Sequence, residues 1–382
     1  MVFNCLSPPL FYLCWHTTFT KLFLIDLCLN SPFPSCRTVS EQLPPHRGFS
    51  TWDIPASWRR NPQPGAHTES TIQPMAQSNC TQVTEFSLAG FTEDPVTQLN
   101  LFLFFLLTYV VTIVGNLGII ILIRASPHLH SPMYHFLGSL AFVDLCFSTI
   151  ITPKMLVDLM SEKKSIAYAG CVAQVFLFDI FAVSESLLLV SMAYDCYVAI
   201  CHPLLYPLVM SPKCCFQLVT GSYLMGLTNG VGQTISMSTL SFCSSSTINL
   251  FFCDISPLIS LSTSDRKLSH IILTTAASLF GVSSSLVILL SYVAIIATIL
   301  SINSAEGKRK AFSTCTSHLT TVSIFYGASF FMYLFPSSDS SRGADKWAVV
   351  LYTVVTPMLN PLIYSLRNKE VKEALRKLTK IR

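Results

Sequence analysis

The chain has 382 residues, of which 51% are hydrophobic and only 12% are charged, and its mean hydropathy is positive. A soluble domain needs more charged residues to cover its surface, so the composition favours a membrane protein with several spans. The net charge of +4 is too small and too scattered to indicate nucleic-acid binding. The fourteen cysteines include no C-x-x-C pair, which excludes the usual zinc and redox motifs.

Residues 1–74 differ in composition from the rest of the chain. They are rich in proline and polar residues, and their one hydrophobic patch, Leu10 to Leu29, is interrupted by charged residues. This composition predicts a disordered extension. The alternative is a signal or anchor segment, although the patch starts late and no clear cleavage site of small residues follows it.

Residues 75–98 are predicted to form an extracellular segment before the first span. The segment contains no basic residue, and it carries the sequon Asn79-Cys80-Thr81. The asparagine of such a sequon is the acceptor for N-glycosylation in the secretory lumen. The sequence therefore predicts a glycan on Asn79.

Seven apolar runs follow, and each is long enough for a helix to cross the hydrocarbon core, which needs about 20 residues. They cover approximately residues 99–123, 133–157, 172–197, 216–236, 271–300, 311–335 and 347–366. The connections are short except for the one between the fourth and fifth spans. The predicted fold is therefore an all-α membrane protein with a seven-transmembrane helix bundle over residues 99–366.

The tail, residues 367–382, is predicted to form a short amphipathic helix. Basic residues surround one apolar face, which comprises Val371, Ala374, Leu375 and Leu378. Such a helix lies on a membrane surface. About twelve basic residues lie near the span ends on the side of this tail, against seven on the opposite side. Because cytoplasmic loops carry the excess of lysine and arginine, the tail is predicted to be cytoplasmic.

Polar residues interrupt the first three spans. Asn116 in the first span is expected to bond to a neighbouring helix, because a buried amide needs a partner. Asp144 in the second span is a functional candidate, since an acid at mid-membrane depth is costly. A purely structural role for Asp144, as a protonated or hydrogen-bonded acid, is the alternative. Glu185 lies deep in the third span and completes this predicted polar core.

Specific sequence runs lie at the inner ends of the later spans. Residues 192–207 read M-A-Y-D-C-Y-V-A-I-C-H-P-L-L-Y-P, residues 310–318 read K-A-F-S-T-C-T-S-H, and residues 357–368 read P-M-L-N-P-L-I-Y-S-L-R-N. In their order and spacing, these runs resemble the odorant-receptor family of rhodopsin-like G-protein-coupled receptors. The resemblance begins at Met75 and covers residues 75–380, which marks residues 1–74 as atypical or wrongly assigned.

The resemblance implies a plasma-membrane receptor for olfaction. Such a receptor binds a small volatile odorant in a mainly apolar cavity between the third, fifth and sixth helices, and it activates a heterotrimeric G protein of the stimulatory olfactory type. It is surrounded by membrane lipid and uses no cofactor and no metal. The residues implied at the level of the ligand are Phe178, Asp179, Ala182, Val183, Ala276, Ala277, Phe280, Tyr326, Ser329 and Tyr333.

The resemblance also implies a disulfide and a set of residues for G-protein coupling. The disulfide joins Cys171 to Cys253 and ties the long outer loop over the cavity. Cys243 lacks its usual loop partner, because Thr263 stands at that position, so a second bridge is not expected. The implied coupling and activation residues are Asp195, Cys196, Tyr197, Tyr292, Lys310, Asn360, Pro361 and Tyr364.

Two residues depart from the family's pattern. Cys196 stands where the family has an arginine, and a thiol forms neither the charge-assisted bonds nor the forked contacts of a guanidinium. Coupling is therefore expected to be weak, altered or absent. Asp179 stands where the family has an apolar residue, so a cationic amine ligand is one hypothesis. The alternative is an acid that bonds to a serine or tyrosine of another helix or points away from the pocket.

Three other functions remain as alternatives. The first is the same fold without signalling, a binding-only or inactive variant, because of Cys196. The second is a transporter built on Asp144, Asp179 and Glu185, but the sequence lacks the paired repeats that transporters show. An enzyme is the weakest alternative, because no set of nucleophile, base and acid and no metal-ligand spacing occurs.

Overall fold

The computed structural model describes residues 83–243, 246–334, 342–367 and 369–380. The predicted extension, residues 1–74, and the predicted glycosylation site, Asn79, lie outside these residues.

Seven long helices follow one another along the chain. The first four are α1, Pro95–Ala125; α2, Pro132–Met160; α3, Tyr168–Cys201; and α4, Pro212–Ser238. The next two are α5, Lys267–Ser301, and α6, Ala305–Leu334. The seventh, α7, comprises Arg342–Val350, Leu351–Val355 and Thr356–Arg367. The predicted spans lie within these helices, apart from residue 335, which falls outside the described residues.

Five segments in the described part of the chain are long and apolar enough to cross a membrane. They are α1, α2, α3, α5 and the segment Lys346–Ser365 of α7. Helices α4 and α6 carry more polar residues, such as Asn229 and Gln233 in α4 and His318 in α6. The predicted class, a seven-helix membrane bundle, is confirmed.

Helix α3 lies at the centre of the bundle. Every residue from Val183 to Ala193 is buried, so this helix is covered on all sides. The sequence explains the burial, because the stretch is apolar around its whole circumference apart from small serines and Glu185. Helix α1, in contrast, exposes a row of apolar side chains that includes Leu103, Leu107 and Val114, as expected for a face in contact with lipid.

Two glycines bring α4 against α3. A Cβ atom on Gly226 would lie 2.3 Å from the Ile180 carbonyl oxygen, and one on Gly230 would lie 2.9 Å from the Phe176 carbonyl oxygen. Small residues allow two helix backbones to approach closely. A Cβ atom on Gly232, in the same helix, would have no such atom within 4 Å, so this glycine does not face a neighbouring helix closely.

A small sheet and a disulfide cover the end of the bundle at which α1 and α3 begin, which is here called the outer end. Strand β1, Glu85–Leu88, lies between β2, Ser165–Ala167, and β3, Thr247–Ile248. It pairs antiparallel with β2, with Phe86 opposite Ile166, and parallel with β3. Cys171 at the start of α3 is bonded to Cys253 in the long loop, with a Cα–Cα distance of 5.4 Å.

Cys243 is also disulfide-bonded, which corrects the expectation that it lacks a bridge. That expectation considered only partners within the same loop. The spacing of cysteines within the loop therefore carried no signal for this bond.

Two helices contain π-helical turns at the level of the candidate ligand residues. They are Ala277–Val282 in α5 and Leu351–Val355 in α7. Such turns change the direction of the side chains that follow and occur frequently at functional sites. At the opposite end of the bundle, here called the inner end, the chain forms a short helix, Tyr206–Val209, after α3 and a further helix, α8, Lys369–Lys380, after α7. In α8, Val371 and Ala374 are buried while Leu375 is exposed.

Candidate functional site

Polar side chains from α1, α2 and α7 meet in the middle of the bundle. Asn360 Nδ2 donates to both carboxylate oxygens of Asp144, at 3.2 and 3.0 Å. Asn116 Nδ2 donates to the Pro357 carbonyl oxygen of α7, at 3.0 Å. The side chains of Asn116, Asp144 and Asn360 are all buried. Helix α7 is therefore joined to α1 and α2 by hydrogen bonds close to its Asn-Pro step.

Glu185 of α3 is a second buried acid in this core. It is only 1% exposed and lies close enough to Asp144 for electrostatic interaction. Neither of its carboxylate oxygens has a hydrogen-bond partner among the described residues. Because an unpartnered buried acid costs free energy, a helix movement that brings a donor to Glu185 would be favoured.

Phe178 lies in an aromatic cluster directly below the long loop. Its ring centroid is 5.2 Å from that of Phe252 in the loop and 5.1 Å from that of Phe147 in α2. Tyr352 of α7 lies 6.3 Å away. Gln174, one turn earlier in α3, accepts a hydrogen bond from the Cys253 backbone N–H at 2.8 Å. The loop is thus held against α3 by the disulfide, the rings and a hydrogen bond.

Only one of the two carboxylate oxygens of Asp179 is hydrogen-bonded to a neighbouring helix. Asn229 Nδ2 of α4 donates to its Oδ1 at 3.2 Å, so the partner is neither a serine nor a tyrosine. The other oxygen, Oδ2, is buried and has no hydrogen-bond partner in the described part of the chain. Asp254, which follows the loop cysteine, lies close enough for its charge to act on Asp179. Two acids therefore face the same region at the outer end.

The environment of Asp254 makes its neutral form more stable than it is in water. Burial raises the pKa of this carboxyl from 3.8 to about 6, against the opposing effect of hydrogen bonds from the Ile255 and Ser256 backbone. The group therefore changes charge at mildly acidic pH.

A second contact set joins α3, α5 and α6 deeper in the bundle. Ser186 Oγ donates to the Phe280 carbonyl oxygen at 2.9 Å and also lies 2.9 Å from the Tyr326 hydroxyl. Phe280 and Tyr326 are buried. The carbonyl belongs to the π-helical turn of α5. The structure thus brings Phe280 and Tyr326 together, as the family resemblance implies, through a serine that the sequence prediction missed.

The other candidate ligand residues lie on the same three helices. Val183 is buried and Ala182 is half-buried on α3, and Ala276 and Ala277 are half-buried on α5. Ser329 Oγ donates to the Phe325 carbonyl oxygen of its own helix, at 2.8 Å. The Tyr333 side chain lies outside the described part of the structure.

A hydroxyl holds Asp195 at the inner end of α3. Tyr206 donates its hydroxyl hydrogen to Asp195 Oδ1 at 2.9 Å, and Asp195 forms no ion pair within the described residues. Cys196 is buried beside it. The Tyr197 hydroxyl oxygen lies 3.1 Å from His202 Nε2. The partner of Asp195 is thus a tyrosine of the short helix that follows α3.

Histidine and tyrosine residues connect α5 and α6 to α3. The Tyr292 hydroxyl lies 2.6 Å from His318 Nδ1, and His318 Nε2 lies 3.0 Å from the Leu189 carbonyl oxygen. Both ring nitrogens of His318 thus have partners, as in a packed structural histidine. Tyr364 of α7 is buried at the same end of the bundle. The Lys310 side chain lies outside the described part.

Pro361 packs against the first helix. A Cβ atom on Gly115 would lie 2.9 Å from Pro361 Cγ, so only glycine allows this contact without a shift. A proline in a helix also frees a backbone carbonyl and permits bending. The contact places the bendable part of α7 directly on α1.

A small cavity lies away from the candidate ligand residues. It offers a water-sized molecule about 10 Å³ of space and is lined by Phe91, Met155, Asp158, Lys164 and Phe251, among others. It belongs to the outer end of the bundle, beside the segment that precedes α1.

Sequence analysis missed four residues that form these contacts: Gln174, Ser186, Tyr206 and Asn229. Ser186 lies three and four residues after Val183 and Ala182, so helical spacing alone could have placed it on the same face. Gln174, Tyr206 and Asn229 act across elements, and no spacing along the chain reveals such partners.

Known proteins resemble this chain in sequence and in structure. The model of a family described as olfactory receptor matches residues 105–381. Olfactory receptor 5G9 of Mus musculus is 52% identical over 301 residues, which cover 79% of this chain and 96% of the relative. The chain belongs to the olfactory receptor family. The receptor is also 52% identical to olfactory receptor 5G3 of Homo sapiens, over 79% of this chain and 96% of the relative. It is 52% identical to olfactory receptor-like protein COR4 of Gallus gallus, over 79% of this chain and 97% of the relative.

A solved structure of squid rhodopsin has the same fold. It matches with a TM-score of 0.60 and 18% identity, covering 74% of this chain and 85% of the rhodopsin chain. At this identity the likeness concerns the fold alone. The family and the fold together identify an odorant-sensing G-protein-coupled receptor that crosses the membrane several times, and not an enzyme.

Proposed function

We propose that the receptor binds a small volatile odorant between α3, α5 and α6, below the loop that Cys253 anchors. The observation that carries this proposal is the bond set of Ser186, which joins the Phe280 carbonyl and the Tyr326 hydroxyl. A ligand that packs here touches three helices at once. It therefore shifts the balance between their arrangements if it binds one arrangement more tightly.

The proposed signal leaves through the inner end of the bundle. An outward swing of α6 opens a cleft for a stimulatory olfactory G protein, with residues 367–382 in the cytoplasm and residues 75–98 outside the cell. Two observations support this orientation: the excess of basic residues on the tail side and the Cys171–Cys253 disulfide, which an oxidising outer compartment maintains. In this proposed orientation, Lys310 is on the cytoplasmic side of the membrane and the glycosylation site Asn79 is outside the cell.

Cys196 is proposed to weaken coupling. An arginine at this position would bring a cation next to Asp195 and a forked donor toward the G protein, whereas the thiol provides neither. A charge-assisted hydrogen bond contributes about 1.5–3 kcal/mol, which corresponds to roughly a tenfold to hundredfold effect. The receptor is therefore expected to signal at a small fraction of the strength that the arginine form reaches.

The deciding experiment compares cyclic-AMP production by the native receptor and by Cys196→Arg across an odorant panel, at equal surface expression. Cys196→Ser is the matched control, since it changes the thiol without adding a cation. We expect a response at least about tenfold larger from Cys196→Arg than from the native receptor and Cys196→Ser. Equal responses from all three would contradict weakened coupling. Odorant binding without any response, even from Cys196→Arg, would favour the binding-only alternative.

We propose an amine as one ligand class. Asp179 Oδ2 is buried and lacks a donor among the described residues, and Asp254 adds a second negative group nearby. An alkylammonium group supplies both the charge and the hydrogen-bond donors that these oxygens lack. The competing interpretation is a structural acid that Asn229 satisfies in part.

A competition assay with amines and alcohols of equal chain length tests this ligand class. The native receptor is expected to prefer amines, and Asp179→Ala is expected to lose that preference while it retains binding of the alcohols. Asn229→Ala is the control for the structural interpretation, because it removes the internal partner and leaves the carboxylate. An amine preference that survives in Asp179→Ala would exclude the amine site.

A further inference from the structure

The long outer loop contains a second bonded cysteine, Cys243. Among the other cysteines of the described residues, Cys171 and Cys253 are bonded to each other and the rest are free. None of these can therefore be the partner of Cys243. The partner is one of the five cysteines that precede the described residues, which are Cys5, Cys14, Cys28, Cys36 and Cys80.

The segment before α1 runs beside the loop close to Cys243. In β1, the Ser87 backbone N–H donates to the Ser246 carbonyl oxygen at 2.7 Å, and Ser87 lies opposite Thr247 in the parallel pair with β3. Continued toward the start of the chain, the same register sets Val83 opposite Cys243. The first described residues therefore lead toward the bonded cysteine.

Among the five candidates, Cys80 reaches Cys243 over the shortest stretch of chain. Val83 packs against the hydrophobic core, and neighbouring strands lie about 4.8 Å apart. Cys80 precedes Val83 by three residues, which span at most about 10 Å, so its Cα atom can come within the roughly 4.4–6.8 Å that a disulfide requires. Cys36, the next candidate, lies about 44 residues earlier, and closing that longer loop costs more conformational entropy.

The loop itself leaves Cys243 available for this partner. Thr263, at the position of the expected loop partner, lies beside the segment that carries Cys243. Both its backbone N–H and its hydroxyl donate to the Ser241 carbonyl oxygen, at 2.9 and 3.0 Å. Hydrogen bonds thus join the two arms of the loop where a disulfide was expected, and the Cys243 sulfur bonds elsewhere.

We propose that Cys80 and Cys243 form a second outer disulfide, which ties the segment before α1 to the long loop. The oxidant is the disulfide of a thiol oxidoreductase in the secretory lumen, so the proposal rests on the proposed orientation. One receptor thiolate attacks that disulfide and forms a mixed disulfide; the second attacks the mixed bond, and the oxidoreductase sulfur leaves. The receptor thiols lose two electrons and two protons, and the oxidoreductase gains them as two thiols.

The proposed bond has a consequence for glycosylation, because Cys80 is the middle residue of the sequon Asn79-Cys80-Thr81. The asparagine of this triplet is the acceptor in the secretory lumen. To react, the triplet must move into the site of the glycan transferase, and a triplet tied to a folded loop is held back from it. The bond therefore limits glycan addition to Asn79.

Disulfide mapping tests the bond itself. Free thiols of the full receptor are alkylated in membranes, and its peptides are analysed by mass spectrometry without reduction. A peptide that links residues 80 and 243 is expected in the native receptor and in the control Cys214→Ser, and it is lost in Cys243→Ser. A native receptor without this peptide, or with Cys243 linked elsewhere, would overturn the proposal. The Cys171–Cys253 peptide in the same sample shows that the proposed orientation has not failed.

The glycosylated fraction of Asn79 tests the competition between the bond and the glycan. Cys243→Ser removes the bond and leaves the sequon intact, so the fraction is expected to rise above that of the native receptor and of Cys214→Ser. Enzymatic glycan release followed by mass spectrometry of the peptide measures it. Equal fractions in all three proteins would contradict the competition. Neither measurement needs an odorant or a G protein, so a receptor that fails to signal leaves both outcomes readable.

Discussion

The outer and inner ends of the bundle are held together by different interactions. At the outer end, the Cys171–Cys253 disulfide, a three-stranded sheet and the aromatic cluster around Phe178 join the loop to the helices. At the inner end, the contacts are single hydrogen bonds between polar side chains, such as Tyr206 to Asp195 and Tyr292 to His318.

This difference separates a fixed part of the receptor from a part that can rearrange. A covalent bond and a packed aromatic cluster have no alternative partners of equal strength. A single internal hydrogen bond contributes only about 0.5–1.5 kcal/mol net, so it can be exchanged for another at small cost. The outer end therefore suits a lasting binding chamber, and the inner end suits a change of state.

Loss of the outer disulfide is expected to have the largest effect on stability. Cys253→Ser should lower the unfolding free energy by about 3–5 kcal/mol, because the bond closes a long loop, with a sequence separation of 82. Thermal unfolding of the purified receptor in detergent measures the change. Cys214→Ser, a half-buried free cysteine, is the control. A midpoint equal to that of the control would show that the outer end does not depend on this bond.

The next largest effect on stability is expected in the polar core, which lies between the two ends. Asn360→Ala should cost about 2–4 kcal/mol, because Asp144 loses the donor to both of its oxygens while it remains buried. Asn100→Ala on the exposed surface of α1 is the control. Addition of Asp144→Asn should recover part of the loss, since it replaces the buried acid that has lost its donor by a neutral amide. If the double variant is no more stable than Asn360→Ala, the loss of the donor to Asp144 is not the cause.

A smaller effect of opposite sign is expected at Asp254. Its folded-state pKa of about 6 exceeds the ordinary 3.8, so the folded receptor binds the proton more tightly than the unfolded chain does. The stability from this group is complete below about pH 4 and is lost as the pH rises through about 6. Asp254→Asn should thus stabilise the receptor by about 1–2 kcal/mol at neutral pH, allowing for partial solvent screening.

Unfolding midpoints measured from pH 4.5 to 7.5 check this prediction. The native midpoint should fall across the range, and the Asp254→Asn midpoint should fall less. Glu93→Gln, an exposed acid before α1, is the control and should follow the native curve. Parallel curves for all three proteins would place the titrating group elsewhere.

The smallest effect is expected for a single inner hydrogen bond. Tyr206→Phe should cost about 1 kcal/mol, because Asp195 loses its hydroxyl donor and nothing else changes. Faster amide exchange at the inner end of α3 is the appropriate measurement. Tyr109→Phe, whose exposed hydroxyl bonds to Thr149 at 3.3 Å, is the control. Equal exchange in both variants would mean that this bond does not hold the inner end.

The described helices were predictable because membrane burial leaves a strong one-dimensional signal. Each span must satisfy its own backbone and expose apolar side chains, so a long apolar run is sufficient to locate it. The candidate pocket was predictable only through family resemblance. Ala276, Phe280 and Tyr326 are unremarkable apolar and aromatic residues, and only their neighbours in space distinguish them from other packing residues.

By itself, the sequence determined the seven helices and the amphipathic tail helix, because these depend on residue type and local periodicity. Asp179 and Cys196 were singled out only through the resemblance to the family. The tertiary structure alone decided the partners, which are Asn229 for Asp179 and Tyr206 for Asp195, and it showed that Cys243 is disulfide-bonded. The physical reason is that a side chain's partner depends on how two helices are rotated and offset against each other. Packing of the whole bundle sets these two quantities, and no single segment encodes them.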